Sequence, residues 1–445
     1  MRIPGRIAVA IVAATSIIPA SEPRAAAAER MSAAHSSIRA AEAGRHVHAL
    51  ADDSFEGREG GSRGGRAAGT YIVEAIANLG LEPAGDNGTY FQQFGSMRNI
   101  LALLPGSDPT VAHELVVIGA HYDHVGYGNA NNSYGPTGFI HNGADDNASG
   151  VAGLIELAEA IEHLPSRPRR PILFAFWDGE EKGLLGSYHF LRVRPAALAR
   201  HTIVFSVNLD MIGRLRGERL EIFGSRTAEG LRMTCLESNA AANLELVYDW
   251  EITEDSDHYP FIAARIPTVM FHTGLHDQYH RPSDDVHLVN LDGIEPVVRV
   301  TLDFLTRIAD DPGPPKAFRA QCRSETAATR RALEMPAAEA PAPAGQRPRW
   351  GIGTRGDPAE PAAPIVVRVA PGSPAARAGL MLGDRVIAVD GAAVTNQADM
   401  IARLGAAGDS VLLDVDRKGR LVRLEPVIGA VVSTAPVIGA TAQGP

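Results

Sequence analysis

Cysteine, positive charge and long apolar runs are all scarce in this sequence. Only two of its 445 residues are cysteine, too few for a disulfide framework or a cysteine-rich zinc module. Any metal would therefore have to bind histidine and carboxylate side chains. Asp and Glu outnumber Lys and Arg by 52 to 42, a formal net charge of −10, which argues against broad binding to nucleic acid. After the first twenty residues, no run approaches the ~20 apolar residues that cross a bilayer, so no stable membrane span is expected.

The first residues have the order of a secretory signal peptide. Arg2 and Arg6 form a basic start, Ile7 to Ile18 is a short apolar run, and mostly small residues follow up to Ala28. This order is typical of a cleaved leader. We therefore expect residues 1–28 to be removed and the mature protein to be periplasmic or secreted. An uncleaved anchor is the alternative.

A change in composition divides the rest of the chain into two domains. Proline and alanine are dense in a segment after Asp310, which is typical of an extended, semi-stiff linker. Within it, Ser324 to Glu334 has the composition of a short helix with Ser324 as N-cap. The predicted boundaries are 40–310 for the large domain, 311–346 for the linker, 347–431 for the small domain and 432–445 for a flexible tail.

The large domain has the pattern of an α/β fold. Amphipathic patterns predict helices over Val151 to Leu164 and Thr227 to Ala242. The Gly- and Arg-rich stretch Gly60 to Gly69 is expected to be a flexible crossing. Short apolar runs predict four buried strands, over Glu114 to His124, Pro171 to Glu181, Ile203 to Gly213 and Ile266 to Gly274. Strands alternating with helices favour a doubly wound, mostly parallel sheet.

Acidic and imidazole side chains end the apolar runs or lie in the loops after them. They are His121, Asp123, His124, Asp145, Asp146, Asp178, Glu180, Glu181, Asp210 and His280. Singly, each has an ordinary alternative, since Asp145 or Asp146 could simply cap the helix that follows. In open α/β sheets, however, ligands bind beyond the carboxyl ends of the strands. The shared position of these residues therefore predicts a site at one edge of the sheet.

These residue types suit a hydrolase with two divalent cations. Such a pair, ~3.5–4 Å apart, needs a carboxylate between the ions and room for a shared water, and zinc accepts both His and carboxylate ligands. Glu180 and Glu181 are adjacent, so one can bind metal while the other acts as general base. Asp123 lies two residues after His121, where it can accept the other ring N–H and fix the tautomer.

Six ordered motifs resemble the co-catalytic di-zinc exopeptidases of metallopeptidase family 28. The motifs are HYDHVG, GADDNASG, DGEEKGLLGS, NLDMIG, DSDHYPF and QYHRPSDD. The resemblance covers about residues 45–310 and implies the zinc exopeptidase fold with two zinc ions per chain. It implies one zinc on His121 and Asp210 and a second on Glu181 and His280, with Asp145 between them.

The same resemblance implies catalytic roles for Glu180 and Asp123. Glu180 matches the general base and Asp123 the residue that orients His121. A cis peptide bond is implied between Asp145 and Asp146. The expected activity is that of an aminopeptidase, in which water activated by two metals attacks peptides with a free N-terminus. Carboxypeptidase action, a single-zinc glutaminyl cyclase and an inert peptide-binding protein are the alternatives.

The small domain resembles a bacterial PDZ domain. Ile365 to Gly391 has a strand, a PGSPA turn, a short helix and the segment LGDRVIAVDG, and a hairpin is expected around Lys418 and Gly419. Such domains add a peptide strand to a sheet edge and bind its terminal carboxylate. The expected carboxylate loop consists of Trp350, Gly351, Ile352 and Gly353. A module that only packs against the large domain is the alternative.

Overall fold

The structure, a computed structural model, describes residues 24–337 and 349–428. The predicted signal peptide lies outside the described residues up to residue 23, and its last five residues begin the first helix. The predicted tail, residues 338–346 of the predicted linker, and residues 347–348 and 429–431 of the predicted small domain also lie outside them.

A nine-stranded mixed sheet forms the centre of the large domain. Its strands are β1 (Glu82–Pro83), β2 (Phe91–Phe94), β3 (Met97–Leu104), β4 (Glu114–His121), β5 (Ile172–Trp177), β6 (Thr202–Leu209), β7 (Arg219–Phe223), β8 (Glu245–Tyr248) and β9 (Thr268–His272). The four runs predicted as strands contain β4, β5, β6 and β9. These lie side by side in the order β5-β4-β6-β9 and run parallel. Antiparallel pairs flank them, β3 with β5 and β7 with β9.

Helices cover both faces of this sheet, which confirms the predicted α/β class. They are α1 (Arg24–Ser37), α2 (Ala40–Leu50), α3 (Arg63–Ile76), α4 (Gly150–Glu162), α5 (Leu185–Arg192), α6 (Leu231–Ser238), α7 (His258–Ala263) and α8 (Leu291–Asp310). Alternate residues of a strand point to opposite faces, so Val116 and Ile118 join the core with α2, α4 and α8. Leu115 and Val117 join the other core with α5 and α7. No helix of the described residues is long and apolar enough to cross a membrane.

The stretch Gly60 to Gly69 is part of the fold, so the expected flexible crossing is wrong. Most of it forms the first turns of α3, where the Ser62 hydroxyl caps the helix by accepting the Gly65 N–H. A Cβ atom at Gly64 would lie 1.9 Å from the carbonyl oxygen of Phe55. Glycine is therefore required by close backbone contact, and the composition does not indicate flexibility.

The described part of the predicted linker is packed rather than extended. It contains a 3-10 turn, Ala320–Ser324, and the helix α9 (Ala327–Glu334). The N-cap of α9 is Thr326, whose hydroxyl accepts the Thr329 N–H, so the predicted cap at Ser324 is wrong. Cys322, like Cys235, is buried and unpaired. The exact domain boundaries stay predictions.

The small domain is built on a separate antiparallel sheet with its own apolar core. Its elements are β10 (Ile352–Arg355), β11 (Ile365–Val369), α10 (Pro374–Arg377), β12 (Arg385–Val389), β13 (Ala392–Ala393), α11 (Gln397–Ala406), β14 (Leu413–Arg417) and β15 (Arg420–Leu424). β10 lies at one edge of the sheet, beside α11. The hairpin expected around Lys418 and Gly419 joins β14 to β15.

Buried ion pairs join the small domain to the large one. Arg226 donates to Asp357 at 2.9 Å and to Glu325 at 2.7 Å, and its guanidinium lies 3.7 Å above the Trp250 ring. Arg232 donates to Asp416 at 2.6 Å. The charged side chains of these ion pairs are all at least nine-tenths buried. Since an unpaired buried charge is costly, each cation depends on its partner across the contact.

Glu156 of α4 supplies a test of how burial affects stability. Its Oε2 atom accepts the Arg39 N–H at 3.0 Å, and burial raises the pKa of this carboxyl from 4.5 to about 7. The folded chain therefore holds this proton more tightly than the unfolded chain, so the residue's contribution to stability falls as pH rises from about 4.5 to 7. We expect Glu156→Gln to raise the melting temperature by a few degrees at pH 8 and by much less at pH 5.

Thermal unfolding followed by circular dichroism at the two pH values measures this effect. Glu162→Gln, at an exposed position of the same helix, is the matched control and should change little. An equal shift for Glu156→Gln at both pH values would contradict the linkage.

Candidate metal centre

The carboxyl ends of the parallel strands bring the acidic and imidazole side chains together. His121 is the last residue of β4, Glu180 and Glu181 follow β5, and Asp210 follows β6. The turn Ala144–Ser149, which precedes α4, contributes Asp146. The sheet edge predicted to carry a site therefore carries a compact cluster of buried donors.

Two donor groups within this cluster share one carboxylate. In the first, His121 Nε2 lies 3.3 Å from Asp146 Oδ1 and 3.4 Å from Asp210 Oδ1. In the second, His280 Nε2 lies 3.2 Å from Asp146 Oδ2 and 3.1 Å from Glu181 Oε2. Asp146 thus presents one oxygen to each group, which is the geometry of a carboxylate between two cations.

Asp145 is the carboxylate expected between the two groups, but Asp146 lies between them instead. The Oδ1 atom of Asp145 accepts the Gly213 N–H at 2.6 Å, and its Oδ2 atom lies 3.2 Å from His276 Nε2. The carboxylate therefore faces away from both groups. The cis peptide bond likewise joins Asp146 to Asn147, one position later than expected.

His124 is a further donor beside the second group. Its Nδ1 atom lies 2.8 Å from Glu181 Oε1 and 3.7 Å from Asp146 Oδ2. Its Nε2 atom is buried and has no hydrogen-bond partner among the described residues. The HYDH motif contains this residue, but spacing alone could not distinguish a fourth donor from a neighbour of His121.

The loop that carries Asp146 is held by side chains that sequence reasoning missed. Asp284 Oδ2 accepts the N–H groups of Asp145 and Asp146 at 2.9 and 3.0 Å, and Arg214 donates to Asp284 Oδ1 at 3.0 Å. The fully buried Arg58 donates to the carbonyl oxygens of Gly143 and Tyr122, both at 2.9 Å. Asp284 and Arg58 lie in the segments QYHRPSDD and SFEGREGG, whose roles depend on contacts distant in sequence.

The cluster favours a bound cation electrostatically. Burial lowers the pKa of His280, but the carboxylates of Asp146 and Glu181 outweigh burial and raise it to about 11. Burial opposes ionisation of Asp146, yet the neighbouring His124, His121 and His280 keep its pKa well below the usual range. Asp146 Oδ2 and Asp210 Oδ1 are buried and have no hydrogen-bond partner in the described part of the chain. Such atoms are rare without a ligand, so the donor set fits a metal.

Glu180 lies beside the first donor group without belonging to it. Its Oε2 atom is 4.0 Å from His121 Nε2, and burial raises its pKa well above the ordinary value. Its N–H donates to Asp123 Oδ1 at 3.1 Å. His121 Nδ1 faces the main-chain oxygen of Asp123 at 3.2 Å and its carboxylate only at 3.9 Å. Asp123 thus holds the turn of Glu180 with its side chain and orients His121 with its backbone.

A cavity of about 480 Å³ opens beside these residues. Members of the cluster form one part of its wall, namely His121, Asp146, Glu180 and Asp210. The rest comes from Met211, β7, β9 and the segments around residues 249–256 and 275–279. The cluster is therefore open to a ligand of the size of an amino-acid residue.

The small domain has a separate groove of about 300 Å³ between β10 and α11. Three of the four expected loop residues line it, Trp350, Ile352 and Gly353. The indole of Trp350 is buried and donates to the Leu404 carbonyl at 2.8 Å. Gly351 does not line the groove, and a Cβ atom there would meet Ser373.

Comparison with known proteins gives matches in both domains. Residues 99–305 match the family model described as Peptidase family M28, and residues 365–417 match the model described as PDZ domain. The aminopeptidase YwaD of Bacillus subtilis is 29% identical over 192 residues, 41% of this chain and 38% of that protein. Leupeptin-inactivating enzyme 1 of Streptomyces exfoliatus is 30% identical over 213 residues, 47% of this chain and 44% of that protein. The chain thus spans about two fifths of the length of these curated relatives.

Solved structures share the fold of the large domain. The LapA aminopeptidase of Legionella pneumophila matches with a TM-score of 0.52 and 20% identity, covering 64% of this chain and 75% of that one. LapB from the same organism matches with a TM-score of 0.51 and 20% identity, covering 63% and 75%. These similarities support the α/β architecture described above.

The placement of the shared carboxylate is testable with neighbouring variants. We expect Asp146→Asn to weaken zinc binding by more than the ~10–100-fold typical of changes outside the ligand set, because both donor groups lose an anion. Asp145→Asn should stay within that range, since an amide oxygen can still accept the Gly213 N–H. Zinc per chain after dialysis, measured by plasma mass spectrometry, checks this; greater loss in Asp145→Asn would contradict the assignment.

Proposed function

We propose that the chain is an exported zinc aminopeptidase. The premise is that residues 99–305 are a domain of peptidase family M28 and residues 365–417 a PDZ domain. The family-model match over residues 99–305 confirms the resemblance drawn from the six motifs. The observation that carries the proposal is the position of Asp146, with one oxygen towards each of two donor groups. The aminopeptidases among the similar proteins support the reaction class.

The donor groups fit two zinc ions. His121 and Asp210 would hold one, Glu181 and His280 the other, and Asp146 both. His124 lies within reach of Asp146 and Glu181 beside the second. When bound, zinc polarises a peptide carbonyl and makes water more acidic. The buried oxygens without hydrogen-bond partners, on Asp146 and Asp210, support this ligand set.

Glu180 is the proposed general base. Its carboxylate lies at the cavity wall near His121, and burial raises its pKa, which increases its affinity for a proton. It would accept a proton from the attacking water and donate it to the leaving amine. Asp123 supports this role because it accepts the Glu180 N–H and so fixes the Glu180–Glu181 turn.

The proposal includes export and peptide docking. The basic, apolar and small segments up to Ala28 support cleavage of a signal peptide between about Ala27 and Glu29. Sequencing the N-terminus of the mature protein tests this. For docking, the edge position of β10 beside α11 leaves room for an added peptide strand.

Replacement of Glu180 tests the mechanism. We expect Glu180→Gln to lower kcat by ~10²–10⁴-fold while the protein keeps its zinc, because only the proton acceptor is lost. Hydrolysis of aminoacyl anilides and zinc content are the two measurements. Glu229→Gln, at an exposed position outside the cavity, is the matched control and should match the wild type.

The same assay distinguishes the kind of exopeptidase. Peptides with a free N-terminus should be cleaved and their acetylated counterparts should not, and a chelator should abolish cleavage until zinc returns. Cleavage of acetylated peptides from the carboxyl end would contradict the proposal. One tightly bound zinc with cyclisation of glutaminyl peptides would favour a glutaminyl cyclase instead.

Peptide docking is testable at Ile401, an exposed apolar side chain on the α11 side of the groove. We expect Ile401→Asp to weaken binding of a peptide with an apolar C-terminal residue by about tenfold, because a charge replaces apolar contact. An N-terminally labelled decapeptide ending in valine, read by fluorescence anisotropy, is the probe. Ala402→Asp, exposed on the same helix but outside the groove, is the control. Equal binding by the two variants would contradict docking there.

A further inference from the structure

The wall of the cavity beyond the donor groups is unusually acidic. Besides the cluster, four carboxylate side chains line it, and they are Glu221, Asp249, Glu251 and Asp255. Neither lysine nor arginine is among the described residues that line the cavity. Asp210 Oδ1, on a side chain more than nine-tenths buried, also lines it without a hydrogen-bond partner in the described structure. The cavity therefore combines excess negative charge with direct access to the proposed reaction centre.

Part of this wall is a four-residue patch with polar and apolar halves. On the paired strands β7 and β9, Glu221 is opposite His272 and Phe223 is opposite Met270. Alternate residues of a strand share one face, and all four line the cavity. Phe223 and Met270 present apolar surface, and Glu221 presents a charge beside it. A side chain with an aliphatic stem and a cationic end matches this order.

The other carboxylates are fixed by local hydrogen bonds. Asp249 Oδ1 accepts the Glu251 N–H at 2.9 Å, and Glu251 Oε1 accepts the Ala327 N–H at 3.2 Å. Asp255 Oδ2 accepts the Thr253 hydroxyl at 2.5 Å. Each of these bonds uses one oxygen and leaves the other without a hydrogen bond to the described residues. One hydrogen bond thus holds each of these three exposed side chains and leaves an oxygen for a ligand.

Little positive charge offsets this wall. Among the described residues, the four wall carboxylates have only histidine as an ion-pair partner within 4.0 Å. His272 Nδ1 lies 3.7 Å from Glu221, and His258 Nε2 lies 3.9 Å from Asp255. His272 Nδ1 also accepts the Gly274 N–H at 2.8 Å. Arg216, which is near Glu221, donates instead to the Leu275 carbonyl and does not line the cavity.

We infer that the cavity selects peptides whose N-terminal residue is lysine or arginine, an inference that rests on the proposed aminopeptidase function. The α-ammonium group is common to all such substrates and has to remain near the scissile bond. The α-ammonium group can therefore form ion pairs only with carboxylates near the reaction centre. The ordered acids of β7 and the 249–255 segment supply charge to a cationic side chain that extends away from the reacting carbonyl.

Comparison of lysine with norleucine tests this inference. Both residues have the same four-carbon stem and α-ammonium group, so only the side-chain charge differs. With the zinc-loaded full chain, we expect kcat/KM for lysyl and arginyl p-nitroanilides to exceed that for norleucyl p-nitroanilide by about tenfold or more. The preference should shrink as salt rises from about 0.05 to 0.5 M, because exposed charges are screened.

Variants identify the carboxylates responsible. Glu221→Gln and Asp249→Asn should each lower the lysine-to-norleucine ratio by about three- to tenfold, mainly through KM for lysine. Glu229→Gln should leave the ratio unchanged. Equal turnover of lysine and norleucine by the wild type would overturn the inference. So would an equal loss for both substrates in Glu221→Gln and Asp249→Asn, since these carboxylates would then serve the α-ammonium group or the fold.

A binding measurement separates this inference from the proposed function. If no free peptide were hydrolysed, the aminopeptidase proposal would fail. Titration calorimetry with lysinamide and norleucinamide would then still decide the selectivity of the cavity. Tighter binding of lysinamide, weakened in Glu221→Gln, would support the inference, and equal binding would overturn it.

Discussion

Repulsion between buried carboxylates is the constraint on which the large domain depends. Asp146, Glu180, Glu181 and Asp210 all lie at one end of the parallel strands, and each is at least nine-tenths enclosed. Such charges persist in a protein only with cations or hydrogen bonds around them. The chain supplies His121, His124 and His280 directly, and it holds the loop of Asp146 with Arg58 and Asp284. These contacts stabilise the negative charge at the end of the sheet.

The sequence was sufficient for the parts of the fold set by local pattern. The apolar runs around β4, β5, β6 and β9 predicted the parallel centre, because buried strands show continuous β-branched and aromatic residues. Position after these strands predicted that ten acidic and imidazole residues share one edge, and the resemblance to metallopeptidase family 28 then implied His121, Glu181, Asp210 and His280 as ligands. The two edges of the sheet could not be predicted as readily, since β1 and β8 are short and carry no such run.

The wrong predictions concern segments whose local sequence fits more than one structure, and a contact distant in sequence determines which structure forms. Asp145 and Asp146 are identical in type and adjacent, and contacts distant in sequence, such as those of Asp145 with Gly213 and His276, determine which one faces the donor groups. The glycines around the start of α3 indicated flexibility in isolation, whereas Gly64 is required by close contact with the Phe55 carbonyl. Composition likewise suggested an extended linker, but Arg226 binds Glu325 within it.

The contact around Arg226 also affects how the two domains can be studied. Trp250, which stacks on Arg226, lies between Asp249 and Glu251 of the acidic wall, and Asp357 of the small domain binds the same guanidinium. A fragment ending before residue 349 would lack Asp357 and Asp416, leaving Arg226 without one of its two acidic partners and Arg232 without its ion pair. Such a fragment would expose Arg226 beside Trp250, which is next in sequence to two acidic residues of the cavity wall. The large domain on its own would therefore differ electrostatically from the same domain in the intact chain.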